Sequence, residues 1–378
     1  QTYLESNEAL FLEQWVELLR IPSISQDPAH ATDVARAAQW VADRLRRAGI
    51  ESAEVLATDG HPVVYGEWLS APGQPTVMIY GHFDVQPADP LEAWQTPPFE
   101  PTLRDGCIFA RGAADSKGNL LIAIAAVEAW LQGEGALPVN LKFLFEGEEE
   151  IGSRNLPQFV RTHRERLACD VVINSDSLQW SESQPALLVG LRGVCGGYLT
   201  VESATSDLHS GLYGGTVPNA LHALASVLAS LHDANGRVAV DGFYDHVVEL
   251  SPKERARLAA VPFEEEAFKA EIGVTELVGE AGYTPHERLW ARPTLEVVGM
   301  WGGYQGEGLK TIVPHVAHAK LTCRLVPDQE PSHVLDRIAA HIAARMPAGV
   351  EVTFKPSPAT ARPYLMPANH AANVTAAG

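Results

Sequence analysis

Residues 76–84, TVMIYGHFD, run four apolar or aromatic residues, Val77 to Tyr80, into a glycine, a histidine and an aspartate. An apolar run this short, with no alternation, is the pattern of a strand buried on both faces, as in a parallel sheet sandwiched between helices. Polar residues that follow such a strand lie at the carboxyl edge, where open α/β sheets bind their ligands. His82 offers an imidazole nitrogen there. Asp84, two residues on, can accept the other ring N–H and fix the tautomer. Alone, H-x-D is also a common polar turn.

Outward from this stretch the same arrangement recurs. VNLKFLF (139–145) is an apolar strand that runs into Glu148, Glu149 and Glu150, bracketed by Gly147 and Gly152. DVVIN (170–174) runs into Asp176. RGAADSKGN (111–119) places Asp115 in a glycine-bracketed loop before an apolar helix, predicted over 120–132. Each motif has an ordinary structural explanation: a solvated charge run, a turn aspartate, a helix N-cap. Their joint occurrence at the strand ends of one sheet is what points to chemistry. Imidazole and carboxylate oxygen are ligands for a hard or borderline divalent cation. A carboxylate such as Asp115 can bridge two cations, and a free carboxylate beside a polarised water is a general base.

Helices are predicted over residues 7–20 and 33–48 and strands over 63–68 and 75–80, giving α/β layers around a central, mostly parallel sheet. From about Leu191 the texture changes. GVCGGYLTVES (193–203), a helix over 217–232, AHAKLTCRLVP (317–327), a helix over 331–346 and a strand over 349–355 suit a small ferredoxin-like α/β domain. Residues 241–308 read as loop-rich, with an acidic helix near 262–273. The expected domains are therefore 1–190 with 363–378, discontinuous, and 191–362 inserted between them. MPANHAANVTAAG (366–378) reads as the beginning of a helix, so the C-terminal part of the first domain is expected to be missing from the sequence.

In the second domain, SDLHSGLYGG (206–215) carries His209 among glycines, where an imidazole can polarise a substrate carbonyl. Thr311 in GLKTIVP offers a hydroxyl donor. Arg324 in LTCRLVP, expected mid-strand and facing inward or into a cleft, suits a carboxylate.

The chain of 378 residues is long enough for two domains, and its net charge of −19 argues against nucleic acid and anionic membranes as partners. The four cysteines lie far apart without a C-x-x-C, which fits buried reduced thiols rather than a disulfide framework or a thiolate zinc site. No apolar stretch is long enough to span a bilayer, and the N-terminus is acidic and amphipathic, unlike a signal peptide. A cytoplasmic protein is expected.

Taken in order, YGHFDVQP, RGAADSKGN, EGEEEIGS, NSDS and DLHSGLYGG resemble the carnosinase and aminoacylase family of dinuclear metallopeptidases, in its cytosolic nonspecific dipeptidase branch. The resemblance implies a zinc-exopeptidase-like catalytic domain with an inserted lid and dimerisation domain. It implies metal-dependent hydrolysis of dipeptides, with two divalent ions per subunit, zinc or manganese. By position, His82 and Asp176 hold one ion, Asp115 bridges and Glu150 holds the second. Glu149 is the general base and Asp84 orients His82. His209 reaches the partner's active site in a homodimer formed by the lid, and Thr311 and Arg324 bind substrate. Deacylase branches tend to carry Glu at the position of Asp176, so the aspartate favours a dipeptidase. The family's last ligand, a late histidine after a glycine-rich loop, has no counterpart before Gly378; His370 does not match it. Two alternatives follow: an N-acyl amino acid deacylase or carboxypeptidase of the same family, and a non-catalytic dimeric protein with an incomplete metal site.

Overall fold

The structure is a computed structural model that describes residues 2–177, 179–181, 184–367 and 369–377. The chain divides into two compact units, Gln1–Leu187 and Leu188–Gly378. Leu178, Glu182, Ser183, Ala368 and Gly378 lie outside the described residues, the last two within the closing segment 363–378.

The first unit is built on helices α1 (Glu8–Leu19) and α2 (Ala31–Arg47), strands β1 (Glu54–Leu56), β2 (Val63–Trp68) and β3 (Thr76–His82), helix α3 (Gly118–Glu134), strand β4 (Asn140–Glu146), helix α4 (Leu156–Thr162) and strand β5 (Val171–Asn174). The strands lie in the order β1-β2-β4-β3-β5. β3 is parallel to both β4 and β5, while β2 is antiparallel to β1 and to β4. The sheet is thus mixed, and its parallel part is the part that carries the motifs. β4 is buried along almost its whole length, and much of β3 with it, because helices cover both faces. Ile79, Leu141, Phe143 and Phe145 pack with α2 and α3 on one side, and Met78 and Leu144 pack with Phe159 of α4 on the other. Burying a side chain such as Phe143 contributes about 1.5–3 kcal/mol.

α2 is held by Val34, Ala37, Ala38, Val41, Ala42 and Leu45, an i, i+3, i+4 stripe, and the turn after it passes through Gly49 at φ 99°. α3 buries one face only: Leu120, Leu121 and Ile124 point inward, and Ile122 and Trp130 are exposed. Between α2 and α3, the fully buried Arg44 pairs with Glu128 and also donates to Gln14 Oε1 of α1 at 2.7 Å.

The second unit contains β6 (Gly193–Glu202), α5 (Ala220–Ala229), β7 (Thr294–Gly302), β8 (Val316–Leu325), α6 (Pro331–Arg345) and β9 (Glu351–Pro356). Its sheet is antiparallel throughout in the order β7-β8-β6-β9. This is the ferredoxin-like β-α-β-β-α-β pattern. α5 and α6 cover one face, forming a core with Leu199, Val201, Leu321 and Leu325.

The stretch 241–308 is more ordered than its composition suggests. It holds helices Pro252–Ala259, Glu265–Ile272 and Pro285–Trp290, and then the edge strand β7. Ser251 and Thr284 form capping boxes with Glu254 and Glu287, each followed by proline at the first helical position. β7 escapes a sequence reading because it is an edge strand. Glu296, Val297, Val298, Met300 and Trp301 are all exposed, and a bulge between Val297 and Gly299 breaks the alternation. Cys195 and Cys323 are buried cross-strand neighbours, as expected of core thiols, whereas Cys107 is exposed. Among the described residues, no helix is long and apolar enough to cross a membrane.

Candidate metal centre

Because β3, β4 and β5 run parallel, their carboxyl ends share one edge of the first unit's sheet. His82 pairs with Glu146, and Tyr80 pairs with Asn174. The segments leaving those ends therefore converge: Phe83–Asp84 from β3, Gly147–Glu150 from β4 and Ser175–Asp176 from β5.

His82, the last residue of β3, is fully buried. Its Nδ1 lies 3.1 Å from the Asp84 carbonyl and 3.3 Å from Asp84 Oδ1. Donation of Nδ1–H to Asp84 leaves Nε2 as the free nitrogen. That nitrogen is 3.1 Å from Asp115 Oδ1 and 3.7 Å from Asp176 Oδ2. Asp84, also fully buried, does a second job. Its two oxygens accept from the backbone N–H groups of Glu149 at 3.2 Å and Glu150 at 3.1 Å. One carboxylate thus sets both the imidazole and the start of the short helical turn Glu149–Ile151.

The three consecutive glutamates part company. Glu148 turns inward, where it accepts from His61 N at 2.9 Å and from Asn155 N and Nδ2 at 3.0 Å. Glu150 Oε2 accepts from Gln86 Nε2 at 2.8 Å. Glu149 is half-buried, and burial pushes its carboxyl above the usual range; His82 opposes the rise, while Glu150, Asp176 and Asp84 add to it. Glu150 is raised as well, chiefly by burial.

Asp115 occupies the loop between β3 and α3. The helix begins at Gly118 with Lys117 as its N-cap, so Asp115 does not serve as the cap. Gly112 takes φ 82°, and a Cβ on Gly118 would stand 2.3 Å from the Ala113 carbonyl oxygen, so both loop glycines are required by the backbone. Lys117 is fully buried and donates to the carbonyls of Leu18 at 3.2 Å and Ile21 at 2.6 Å. Burial draws its pKa down to about 7. Asp176 follows β5 in a turn closed by its own N–H to Asn174 Oδ1 at 3.0 Å.

One ligand atom from each of His82, Asp115 and Asp176 lies within 4.8 Å of the others. This donor set fits a divalent cation. Burial disfavours charge on the His82 imidazole, yet hydrogen bonding to Asp176 and Asp84 and the charges of Asp84 and Glu149 outweigh it, lifting the ring to about 11. The carboxylates are arranged to stabilise positive charge at this point, which a cation supplies. Glu150 stands outside this three-residue cluster.

Sequence reasoning missed several supporting groups. Gln86 and Asn119 carry no motif signature of their own, since amides are common on any surface. Glu146, at the end of β4, is buried and lifted to about 7 by that burial; Tyr80 and Ser153 hydroxyls bond its Oε1. Its position just before the glutamate run was the available signal.

The remaining three residues lie in the second unit. Leu208–His209 pairs with Ile312–Val313, which sets His209 opposite Ile312 and beside Thr311, whose carbonyl accepts from Ser210 N at 3.0 Å. His209 Nδ1 accepts from Gly211 N at 3.0 Å. Arg324 is the penultimate residue of β8 rather than mid-strand, and it is exposed on the face away from the unit's core, so of the two expected placements, inward or cleft-facing, the inward one does not hold. The β8 register explains this, since Leu321, Cys323 and Leu325 take the inward positions. No ion pair to Arg324 occurs among the described residues.

The profile of peptidase family M20/M25/M40 matches residues 78–376, a span that contains every residue of this centre. Among curated relatives, the Cys-Gly metallodipeptidase dug1 of Schizosaccharomyces pombe is 34% identical over 344 residues, 88% of this chain and 72% of that protein. The Beta-Ala-His dipeptidase of Homo sapiens is 34% identical over 343 residues, 88% of this chain and 68% of that protein. Among solved structures, human carnosine dipeptidase 1 aligns with a TM-score of 0.80 at 30% identity, covering 99% of this chain and 81% of that one. The M20 metallo-carboxypeptidase Sso-CP2 from Sulfolobus solfataricus aligns with a TM-score of 0.82 at 34% identity, covering 96% and 81%. The chain belongs to peptidase family M20/M25/M40.

Proposed function

We propose that this chain is a metallodipeptidase whose centre is the edge of the first unit's sheet. The observation that carries the reading is the convergence of His82, Asp115 and Asp176, with the raised carboxyl of Glu149 beside them. His82 and Asp176 would hold one divalent ion, Asp115 would serve both ions, and Glu150 would hold a second; zinc is the preferred ion and manganese the other candidate. Bound there, such ions acidify water and polarise the scissile carbonyl. Glu149 takes a proton from the attacking water and returns it to the leaving amine nitrogen. Asp84 keeps His82 in one tautomer and holds the turn that aims Glu149.

Residues 1–190 with 363–378 form the catalytic domain and 191–362 the lid. Supporting this division, Tyr364–Leu365 pairs antiparallel with Gly190–Leu191, so the chain enters and leaves the lid side by side. The lid forms a homodimer, His209 serves the partner's active site, and Thr311 and Arg324 bind substrate. The second unit itself supports action across subunits. His209 and Thr311 lie near where β8 begins and Arg324 near where it ends; the strand has 10 residues, and the eight-residue step from Val316 to Arg324 spans about 27 Å. The setting is a reducing cytoplasm, where Cys195 and Cys323 remain thiols.

The second reading, a carboxypeptidase, is favoured by the likeness to Sso-CP2. Amine release from free dipeptides, N-acetyl amino acids and N-blocked longer peptides separates the possibilities. Cleavage confined to free dipeptides is expected. Preferred cleavage of acetylated or N-blocked substrates would replace the dipeptidase reading with a deacylase or carboxypeptidase.

A further inference from the structure

Of the three clustered residues, Asp115 lies in the irregular turn Ala113–Lys117, where its own backbone is non-helical (φ −119°, ψ 97°), and Asp176 lies in a loop. His82 is fixed at the end of a central strand, but the side chain of Asp115 is 67% exposed and that of Asp176 is 31% exposed. Neither carboxylate sits on regular helical or strand backbone that sets its distance from the other. One side chain spans the two loops. Asn119, in the first turn of α3, donates from Nδ2 to the Ala114 carbonyl at 3.1 Å and to the Ser177 carbonyl at 3.1 Å. The first acceptor immediately precedes Asp115, and the second immediately follows Asp176. An amide nitrogen has two hydrogens, and both are committed here. Both partners are carbonyl oxygens, so the nitrogen must be the atom that faces them.

We propose that Asn119 is a positioning residue for the metal centre: it ties the Asp115 loop to the Asp176 loop and so sets the spacing of these two carboxylates around His82. The inference rests on Asp115 and Asp176 being ligands. α3 draws little from this amide, because both of its bonds go to carbonyls outside the helix and alanine is a better helix former at position 119. The two bonds therefore act on the loops rather than on the helix.

The test is cobalt(II) titration of the metal-free chain, followed by calorimetry and by the visible absorption band, with wild type, Asn119→Ala, Asn119→Asp and Asp176→Ala. Metal-free melting curves are recorded alongside. Outer-shell partners of metal ligands change affinity by about 10–100-fold. Asn119→Ala and Asn119→Asp are expected to weaken cobalt binding about 10-fold or more, with an altered visible band and an unchanged metal-free melting temperature. A folded Asn119→Ala with wild-type affinity and spectrum overturns the inference. So does a fall in affinity matched by a fall in melting temperature, or failure of both variants to fold, since Asn119 would then be a structural brace. If wild type binds cobalt no better than Asp176→Ala, the metal-centre reading itself fails.

Discussion

In the proposed mechanism, Glu149 is the side chain on which turnover depends most directly. It is half-buried among carboxylates, and burial raises its pKa. A base with a raised pKa loses its function on acidification earlier than an ordinary glutamate, so the acid limb of the activity profile should lie above the usual carboxylate range. Glu149→Gln keeps the size and removes the base. Turnover is expected to fall by about 100-fold or more, while bound metal stays near the wild-type amount; normal turnover would remove the assignment. Glu146 makes a different prediction. Its carboxyl moves from 4.5 to about 7 on folding. A raised folded-state value favours the protonated form, so the contribution to stability is full below about pH 4.5 and lost as pH rises through about 7. Glu146→Gln should therefore stabilise the metal-free chain at pH 8 by about 3 kcal/mol and much less at pH 5, measured by urea unfolding. At this scale the sequence is legible where a charged group follows an apolar strand, as His82, Asp84 and Asp176 do. Gln86 and Asn119 were not, because their roles come from which backbone carbonyl or carboxylate the fold brings within reach.

Elements hold the centre through contacts that carry no motif. α1, α2 and α3 meet at the Arg44–Glu128 pair, where Arg44 is fully buried and Glu128 nearly so. Removing one partner leaves the other charge stranded. Glu128→Ala should cost about 3–5 kcal/mol, and Arg44→Met with Glu128→Leu should cost much less, both read from urea midpoints; equal losses would show that packing rather than stranded charge dominates. The apolar strands β3 and β4 and the striped helix α2 are readable from composition, since burial on both faces and a 3.6 period leave clear patterns. β7 is not, because an edge strand with a bulge and an exposed apolar face matches neither template. The two capping boxes at Ser251 and Thr284 were readable and mark helices inside what otherwise passes for loop.

For the whole molecule, the proposed dimer makes one active site draw on two subunits. That has a direct consequence for mixed dimers. Glu149→Gln removes the base from its own site, whereas His209→Ala removes the group it lends to its partner. Mixing the two inactive variants and allowing subunit exchange should restore activity to about a quarter of wild type, because half the dimers are mixed and each has one intact site. No recovery despite demonstrated exchange would place His209 in its own subunit's site or outside catalysis. The boundary between the two compact units falls at Leu187–Leu188, close to the change of sequence texture near Leu191, but residues 363–378 fall with the second unit. The sequence does not reveal that β2 runs antiparallel to β4, because those two strands pair across a long separation along the chain.

The most direct test of the account is hydrolysis of free dipeptides by the wild-type chain as prepared, after chelation, and after zinc or manganese is added back. The account predicts cleavage that chelation abolishes and the added ion restores. Cleavage that survives complete removal of metal would contradict it.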